Sequence, residues 1–341
     1  MTTDISVVAE SIETLCTVEL RNQGPTYGVI RRLYESAREE QGGLPTQLAV
    51  EGLMRNVHAG DVVIIITGAY VPNYLPYGET DGPPGAASLA FALKVGLGAV
   101  PLILCEGEIL GPVKASCQAI GLGVHPLNVV REIPYAVAVD AFPADDSAEE
   151  VTRTLLKTLE PKSVIAVEKV GPNHKGVAHT AMGLPLAVGR ARAEVLISAA
   201  RDSQILTIGI GDNGNEIGFG RIAEAVRKYK PYGRMCRCPC EGGLACATPS
   251  DVLITANVSN WGAYGLSACL AAALGMPYMI HDAPTELRMI DECVRAGAAD
   301  GATGLYSPSV DGIPGRVDAD FVEILGFLVQ KSLVKGEERK F

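Results

Sequence analysis

Two carboxylates four residues apart in a glycine-rich loop are the first chemistry this sequence offers. The stretch ILTIGIGDNGNEIGFG, residues 205–220, runs from a β-branched segment through Gly209, Gly211 and Gly214 and carries Asp212 and Glu216. Gly209-x-Gly211-x-x-Gly214 matches the dinucleotide-binding fingerprint. That use needs backbone amides facing a pyrophosphate, and an acidic residue about 20 positions on at the end of the next strand. A carboxylate beside the amides repels phosphate, and the following VRKYKPYGRMC reads as no strand. No nicotinamide cofactor is therefore expected. Hard oxygen donors of this kind suit Mg2+ or Mn2+, or a cationic substrate. The plainer alternative is that Asp212 caps a helix and Glu216 favours its positive end.

Similar residues gather elsewhere. YGETDGPPGAASLAFAL, residues 77–93, places Glu79, Thr80 and Asp81 before a proline-led helix start. Either this is a turn and an N-cap, or the amides at the helix start receive a substrate carboxylate while Glu79 or Asp81 meets its amine. ANVSNWGAYGL, residues 256–266, offers Asn257, Ser259 and Asn260 at another helix start, or simply a capped helix with Trp261 packed beneath. His174 and His179 lie close to Glu168 and either could act as acid or base, though a surface-loop histidine is the commoner case. His281 ends an apolar run. No serine sits in a G-x-S-x-G elbow, which disfavours a hydrolase triad. Cys236, Cys238, Cys240 and Cys246 fall within eleven residues, so zinc or an iron–sulfur cluster is conceivable. The C-x-C-x-C spacing is not the usual C-x2-C knuckle, and it favours a reduced Gly/Pro-rich loop.

The elements that must position these groups alternate. The first 60 residues read as helical, with PTYGVIRRLYESAREE (25–40) and LPTQLAVEGLMRNV (44–57) carrying apolar residues at three-to-four spacing. From residue 61 short apolar runs begin at 61, 99, 163, 205, 251 and 276, separated by helical patterns at 85–97, 147–159, 190–201, 217–230 and 262–274. Runs of Val, Ile and Leu without alternation are buried on both faces. The expectation is an α/β fold, a mostly parallel sheet with helices on both faces, divided as an N-terminal helical extension (1–60) and an α/β catalytic domain (61–341) in one compact whole. AFPADDSAEE (141–150) is either a hinge or a loop capping the helix behind it. Ligands of such sheets bind beyond the carboxyl ends of the strands. There the runs end in Thr67 and Gly68, in Glu106, in Glu168 with Asn173, in Asp212, Asn215 and Glu216, and in Asn257, Ser259 and Asn260.

Composition narrows the classes. The formal charge of −10 and 5% aromatic content argue against a nucleic-acid surface. No apolar run approaches the roughly 20 residues a membrane span requires, and no basic leader with an apolar core is visible. A cytoplasmic location, a small-molecule partner, no nucleic acid and no membrane are expected. The many apolar helices leave room for a homo-oligomer.

Several long motifs, taken together, carry a resemblance. TGAYVPNYLPYGETDGPPGAASLAFAL, AVEKVGPNHKGVAHTAMG, GIGDNGNEIGFG, ANVSNWGAYGL and GAADGATG…SVDGIPG occur in that order, and the resemblance they carry extends over roughly residues 20–330. The chain resembles the D-glutamate cyclase C-terminal domain family, with Asn213 and Phe219 standing where glycine and methionine would be expected. The resemblance implies a hydro-lyase that interconverts D-glutamate with 5-oxo-D-proline and water. It implies a divalent ion on Glu168, Asp212 and Glu216, Glu79 or Asp81 as the base for the ammonium, and backbone at Gly68 with the 257–261 loop holding the α-carboxylate. Competing readings are a non-catalytic amino-acid sensor using the same cleft and a metal-dependent phosphohydrolase. The second needs a D-x-D nucleophile at an early strand end, whereas the D-x-D here is Asp318-Ala-Asp320, near the C-terminus.

Overall fold

The computed structural model describes residues 5–21, 26–186 and 189–334. Seven strands form one sheet: β1 (Val62–Thr67), β2 (Val100–Cys105), β3 (Gly123–Val124), β4 (Ala136–Ala141), β5 (Ser163–Val167), β6 (Leu206–Gly211) and β7 (Val252–Thr255). Their order is β3-β4-β2-β1-β5-β6-β7 and every pairing is parallel. Twelve α-helices accompany them in the described residues: α1 (Ile5–Cys16), α2 (Ile30–Gln41), α3 (Pro45–Asn56), α4 (Pro83–Leu97), α5 (Leu110–Ala119), α6 (Leu127–Val130), α7 (Ser147–Leu159), α8 (Ala193–Asp202), α9 (Ala223–Tyr229), α10 (Ser259–Leu274), α11 (Ala283–Arg295) and α12 (Gly315–Leu333). A short antiparallel hairpin, β8 (Ser309–Val310) and β9 (Ile313–Pro314), precedes α12.

Strand alternation explains the two-sided burial. In β1, Val63 and Ile65 enter one apolar cluster with α1, α3, α4, α5, α10, α11 and α12. Val62, Ile64 and Ile66 enter the other, with α2, α7, α8 and α9. Each face therefore carries its own helical layer, as the unbroken Val/Ile runs require. α10 is buried around nearly its whole circumference, the mark of a core helix rather than a surface one. The N-terminal helices are tied together by Glu13, whose carboxylate accepts from Thr46 N, Thr46 Oγ1 and Tyr34 OH at 2.6–2.8 Å.

Three expectations need correction. The apolar run at 276–284 is no strand: Pro277–Met279 is a single 3-10 turn whose Met279 is fully buried beneath α10. A short buried run reads alike in either conformation, and a proline at the first turn position settles it. Two strands went unread, β3 and β4. The AVAVDA of β4 is alanine-rich and turns outward at Asp140 and Ala141, so it lacks the β-branched signature. The glycine loop also does not run straight into a helix. A 3-10 turn at Gly220–Ile222 intervenes and α9 starts only at Ala223. AFPADDSAEE is a capping loop, since Asp145 accepts from Ser147 N and Oγ ahead of α7. Pro25, read as leading the second helix, lies outside the described residues.

Candidate active site

The chain order reverses between β1 and β5: β1 leads outward to β2, while β5 leads the other way to β6 and β7. This is the topological switch point, where open parallel sheets place their sites. Thr67 and Gly68 close β1 there, Glu168 closes β5 and Asp212 follows β6. Glu168 sits at φ +46°, a strained conformation for a side chain of its size. Its carboxylate accepts from Ser259 Oγ at the start of α10. Beneath it the fully buried Lys169 bridges Gly68 O at 2.8 Å and the carboxylate of Glu106, which also accepts from Ala191 N. That buried pair holds the ends of β1, β2 and β5 together.

The glycine loop folds inward as an acidic nest. Asp212 N and Asn213 N both donate to Glu216 Oε1, at 3.2 and 2.8 Å. The amides a pyrophosphate would need are thus turned to a carboxylate, and Asp212 is no helix cap. Gly209 is required for a different reason: a Cβ there would lie 2.5 Å from Ile217 O, because the loop returns across the strand. Asp212 Oδ2 accepts from Arg21 Nη1 at 2.6 Å, and the same nitrogen donates to Asp311 Oδ2 at 2.6 Å. Lys230 Nζ reaches Asn213 Oδ1 at 2.7 Å.

Asp311 arrives from the hairpin. Asp311-Gly312 is a two-residue turn with φ of +51° and +78°, the primed turn that Asp-Gly favours. Asp300 organises it, accepting from Ala302 N, Thr303 N, Ser309 Oγ and Gly312 N. Glu79 lies alongside, held by backbone pairing of Thr80 N to Ala299 O. It packs so closely on Gly301 that a Cβ there would fall 1.6 Å from Glu79 Oε2.

The carboxyl groups outnumber the cations facing them, Arg21 and Lys230, and the imbalance shows in their acidities. Burial, then the charges of Asp311 and Asp81, pushes Glu79 well above the usual carboxylate range. Burial followed by Asp311 and Asp212 does the same to Asp81, and burial followed by Asp212 and Glu216 to Glu168. Asp212 and Asp311 are each raised by burial, against the pull of Arg21, to about 7. Burial lowers Lys230 to about 8. A buried surplus of negative charge takes protons or attracts a cation. Glu168, Asp212 and Glu216 each bring an oxygen within 4.8 Å of the others, as do Asp81, Asp212 and Asp311. Glu216 Oε2 is buried without a partner. This set fits a hard divalent cation.

The residues expected to bind substrate divide in two. Thr80, Asp81, Asn173 and Asn260 are engaged by the fold. Asn260 Oδ1 accepts from Gly82 N and Gly85 N, and its Nδ2 donates to Thr80 O. Asp81 in return accepts from Ser259 N and Asn260 N, so each residue caps the other's helix. The amides at the start of α4 therefore face Asn260 rather than a ligand. Thr80 Oγ1 donates to Ser309 O, and Asn173 shapes the 173–177 turn and reaches Gly243 O. The other group is buried and unpaired: Thr67 Oγ1, Asn215 Oδ1 and both carboxamide atoms of Asn257, with Nε and Nη2 of Arg21 beside them in kind. Buried polar atoms rarely lack partners, and groups left so at a strand-end crevice suit a polar ligand. His281 belongs elsewhere, in a buried network with Glu286, Tyr264 and Ser88. His174 is exposed, while His179 is fully buried, against the surface-loop expectation. Trp261 stacks on Phe321 at 4.1 Å and donates to Asp318, which lies within α12. Asp320 on the same helix is exposed, so Asp318-Ala-Asp320 makes no strand-end nucleophile.

Arg21, Asp311, Asp300 and Lys230 were not singled out from the sequence. The Asp-Gly between apolar residues in SVDGIP is a hairpin signal that points to Asp311. Arg21 carries none.

The structure defines the class as an open parallel α/β fold with buried carboxylates gathered at its switch point, where such sheets bind their ligands. The chain belongs to the D-glutamate cyclase-like C-terminal family, whose model matches residues 34–326. It is similar to mitochondrial D-glutamate cyclase of Homo sapiens, 25% identical over 285 residues, covering 75% of this chain and 44% of that protein. The chain thus spans less than half the length of that curated relative.

Proposed function

We propose that this chain is a hydro-lyase of the cyclase type, interconverting D-glutamate with 5-oxo-D-proline and water. The observation that carries the reading is Arg21 set among buried carboxylates of raised pKa at the switch point. Ring closure forms a bond between the α-nitrogen and the γ-carbon, and breaks a γ-carbon–oxygen bond. The nitrogen gives up two protons, one before attack and one after it, and the departing carboxylate oxygen gains two to leave as water. Carboxyl groups whose environments spread their pKa values supply both roles. Asp311, near 7 and outside the Glu168–Asp212–Glu216 set, takes the ammonium proton. Glu79, held protonated by burial, donates to the leaving oxygen. The unpaired Arg21 nitrogens and the Asn257 carboxamide receive the substrate carboxylates. Mg2+ or Mn2+ held by Glu168, Asp212 and Glu216 would add Lewis acidity toward a carboxylate oxygen.

Proton NMR of metal-defined protein with D-glutamate, and separately with 5-oxo-D-proline, tests the reading with the L-forms as controls. Chelator-sensitive interconversion of the D-forms supports it. Absence of turnover in both directions with Mg2+ and Mn2+ supplied removes it, and saturable binding without product would identify a sensor instead.

A further inference from the structure

The cysteine-rich loop 236–246 is not absorbed by the carboxylate site. Three of its four thiols converge with His179, whereas Cys246 lies apart, buried against Thr248. Cys236 Sγ is 3.5 Å from Cys238 Sγ and 3.3 Å from Cys240 Sγ. His179 Nε2 is 3.3 Å from Cys238 Sγ and 3.5 Å from Cys240 Sγ. All four ligand atoms lie within 4.8 Å of one another. We infer that Cys236, Cys238, Cys240 and His179 form a structural zinc site.

The geometry argues for one metal ion. A tetrahedron with Zn–S of about 2.3 Å and Zn–N of about 2.0 Å has edges of roughly 3.8 Å between sulfurs and roughly 3.5 Å between sulfur and nitrogen. The sulfur–nitrogen contacts of 3.3 and 3.5 Å match their edge, and the sulfur–sulfur contacts of 3.5 and 3.3 Å are somewhat shorter than theirs, so the four groups already surround one point and need to open only slightly around an ion. A disulfide needs a separation of about 2.05 Å, and all nine cysteines are free. A multinuclear iron–sulfur cluster must fit several atoms between its ligands, and this set is too compact for one. Three thiolates and an imidazole are soft donors that select zinc over the hard cations suited to the carboxylates. Among the described residues, His179 is fully buried, its Nε2 meets the sulfurs of Cys238 and Cys240, and its Nδ1 has no partner, so hydrogen bonding alone does not explain the ring's placement. The sequence masked the site because the fourth ligand lies 57 residues before Cys236, on the loop after β5.

The site would act by positioning. Asn215 Nδ2 donates to His179 O, and Asn215 adjoins Glu216. Cys246 N donates to Gly214 O, Arg237 N to Gly183 O and Ala247 N to Pro172 O. An ion here pins the loop after β5 to the glycine loop that carries Asp212 and Glu216.

The test is metal analysis of tag-free protein expressed with added zinc and purified without chelator. One zinc per chain is expected, and cobalt exchange should give thiolate charge-transfer bands with tetrahedral ligand-field absorption. Cys238→Ser/Cys240→Ser should lose the ion, whereas Asp212→Asn should keep it. Should the double variant fail to fold, mercurial titration of the folded wild type with a zinc indicator gives the same information: zinc is released as three thiols react. Iron in place of zinc, sub-stoichiometric metal with no cobalt band, or zinc retained in a folded double variant or after the thiols are blocked would overturn the assignment. None of these readouts depends on turnover.

Discussion

Asn257 and Asn260 are three residues apart, both fully buried beyond the carboxyl end of β7, and their replacement should have opposite consequences. In Asn260→Ala, the amides of Gly82 and Gly85 and the carbonyl of Thr80 lose their partner in a buried setting. The side chain packs closely on the start of α4, where a Cβ on Gly85 would come within 2.7 Å of Asn260 Oδ1. At about 1–3 kcal/mol for each orphaned group, the expected loss is about 4 kcal/mol. At about 2 °C per kcal/mol for a chain of this size, the melting temperature falls roughly 8 °C. Neither carboxamide atom of Asn257 has a partner, so Asn257→Ala removes an unpaired buried amide along with some packing. Those terms oppose each other, and the melting temperature should stay within about 2 °C. The substrate, however, loses a hydrogen-bonding group, and KM should rise about 10-fold or more, given about 1.4 kcal/mol per decade. Thermal unfolding and NMR progress curves on both variants measure the contrast. If Asn260→Ala melts with the wild type, or Asn257→Ala melts as low as Asn260→Ala at unchanged KM, the assignment of roles is wrong.

Other outcomes follow from the same site. Asp212 and Asp311 titrate near 7 when folded, against about 4 when unfolded. The folded chain therefore binds more protons in that window, and this contribution to stability falls as pH rises from about 4 to about 7. Urea midpoints across that range should show the decline in their contribution by its reduction in Asp212→Asn, and added Mg2+ or Mn2+ should stabilise more at pH 8 than at pH 5; an unaltered slope would contradict it. Arg21→Met strips both aspartates of their shared counterion at 2.6 Å, so it should destabilise by about 3–5 kcal/mol above pH 7 and less at pH 5. Thermal melts at the two pH values measure the difference. Gly301→Ala should displace Glu79 and depress both melting temperature and turnover, since the added methyl falls on the carboxylate. Deleting residues 1–60 exposes α10 and removes Arg21, and should yield aggregated or inactive protein by size-exclusion chromatography if the helical extension and the α/β part form one folding unit.

The strands that carry the site were legible because each is a dense Val/Ile run with polar residues at its end. Thr67, Glu168 and Asp212 were thereby placed at strand ends from spacing alone. What escaped was long-range. Nothing local marks Arg21, which lies before the residues the family model matches, as the partner of Asp212 and Asp311. The division between Asn257 and Asn260 was equally hidden, because both are amides at a helix start and only the position of Gly82 and Gly85 shows which one is engaged. The run at 276–284 misled because four apolar residues around a proline have no periodicity to measure.

The guanidinium of Arg21 joins residues 290 positions apart. At about 5–20 residues per second, Arg21 leaves the ribosome roughly 15–60 s before Asp311 does. For about the last 5–20 s of that interval, once Asp212 is out, the nascent chain carries Glu79, Asp81, Glu168 and Asp212 together. It lacks the hairpin that presses a further carboxylate on them. The site is thus completed late in synthesis, just ahead of α12, and a message truncated before the hairpin would yield a chain with its whole parallel sheet and an unfinished charge balance.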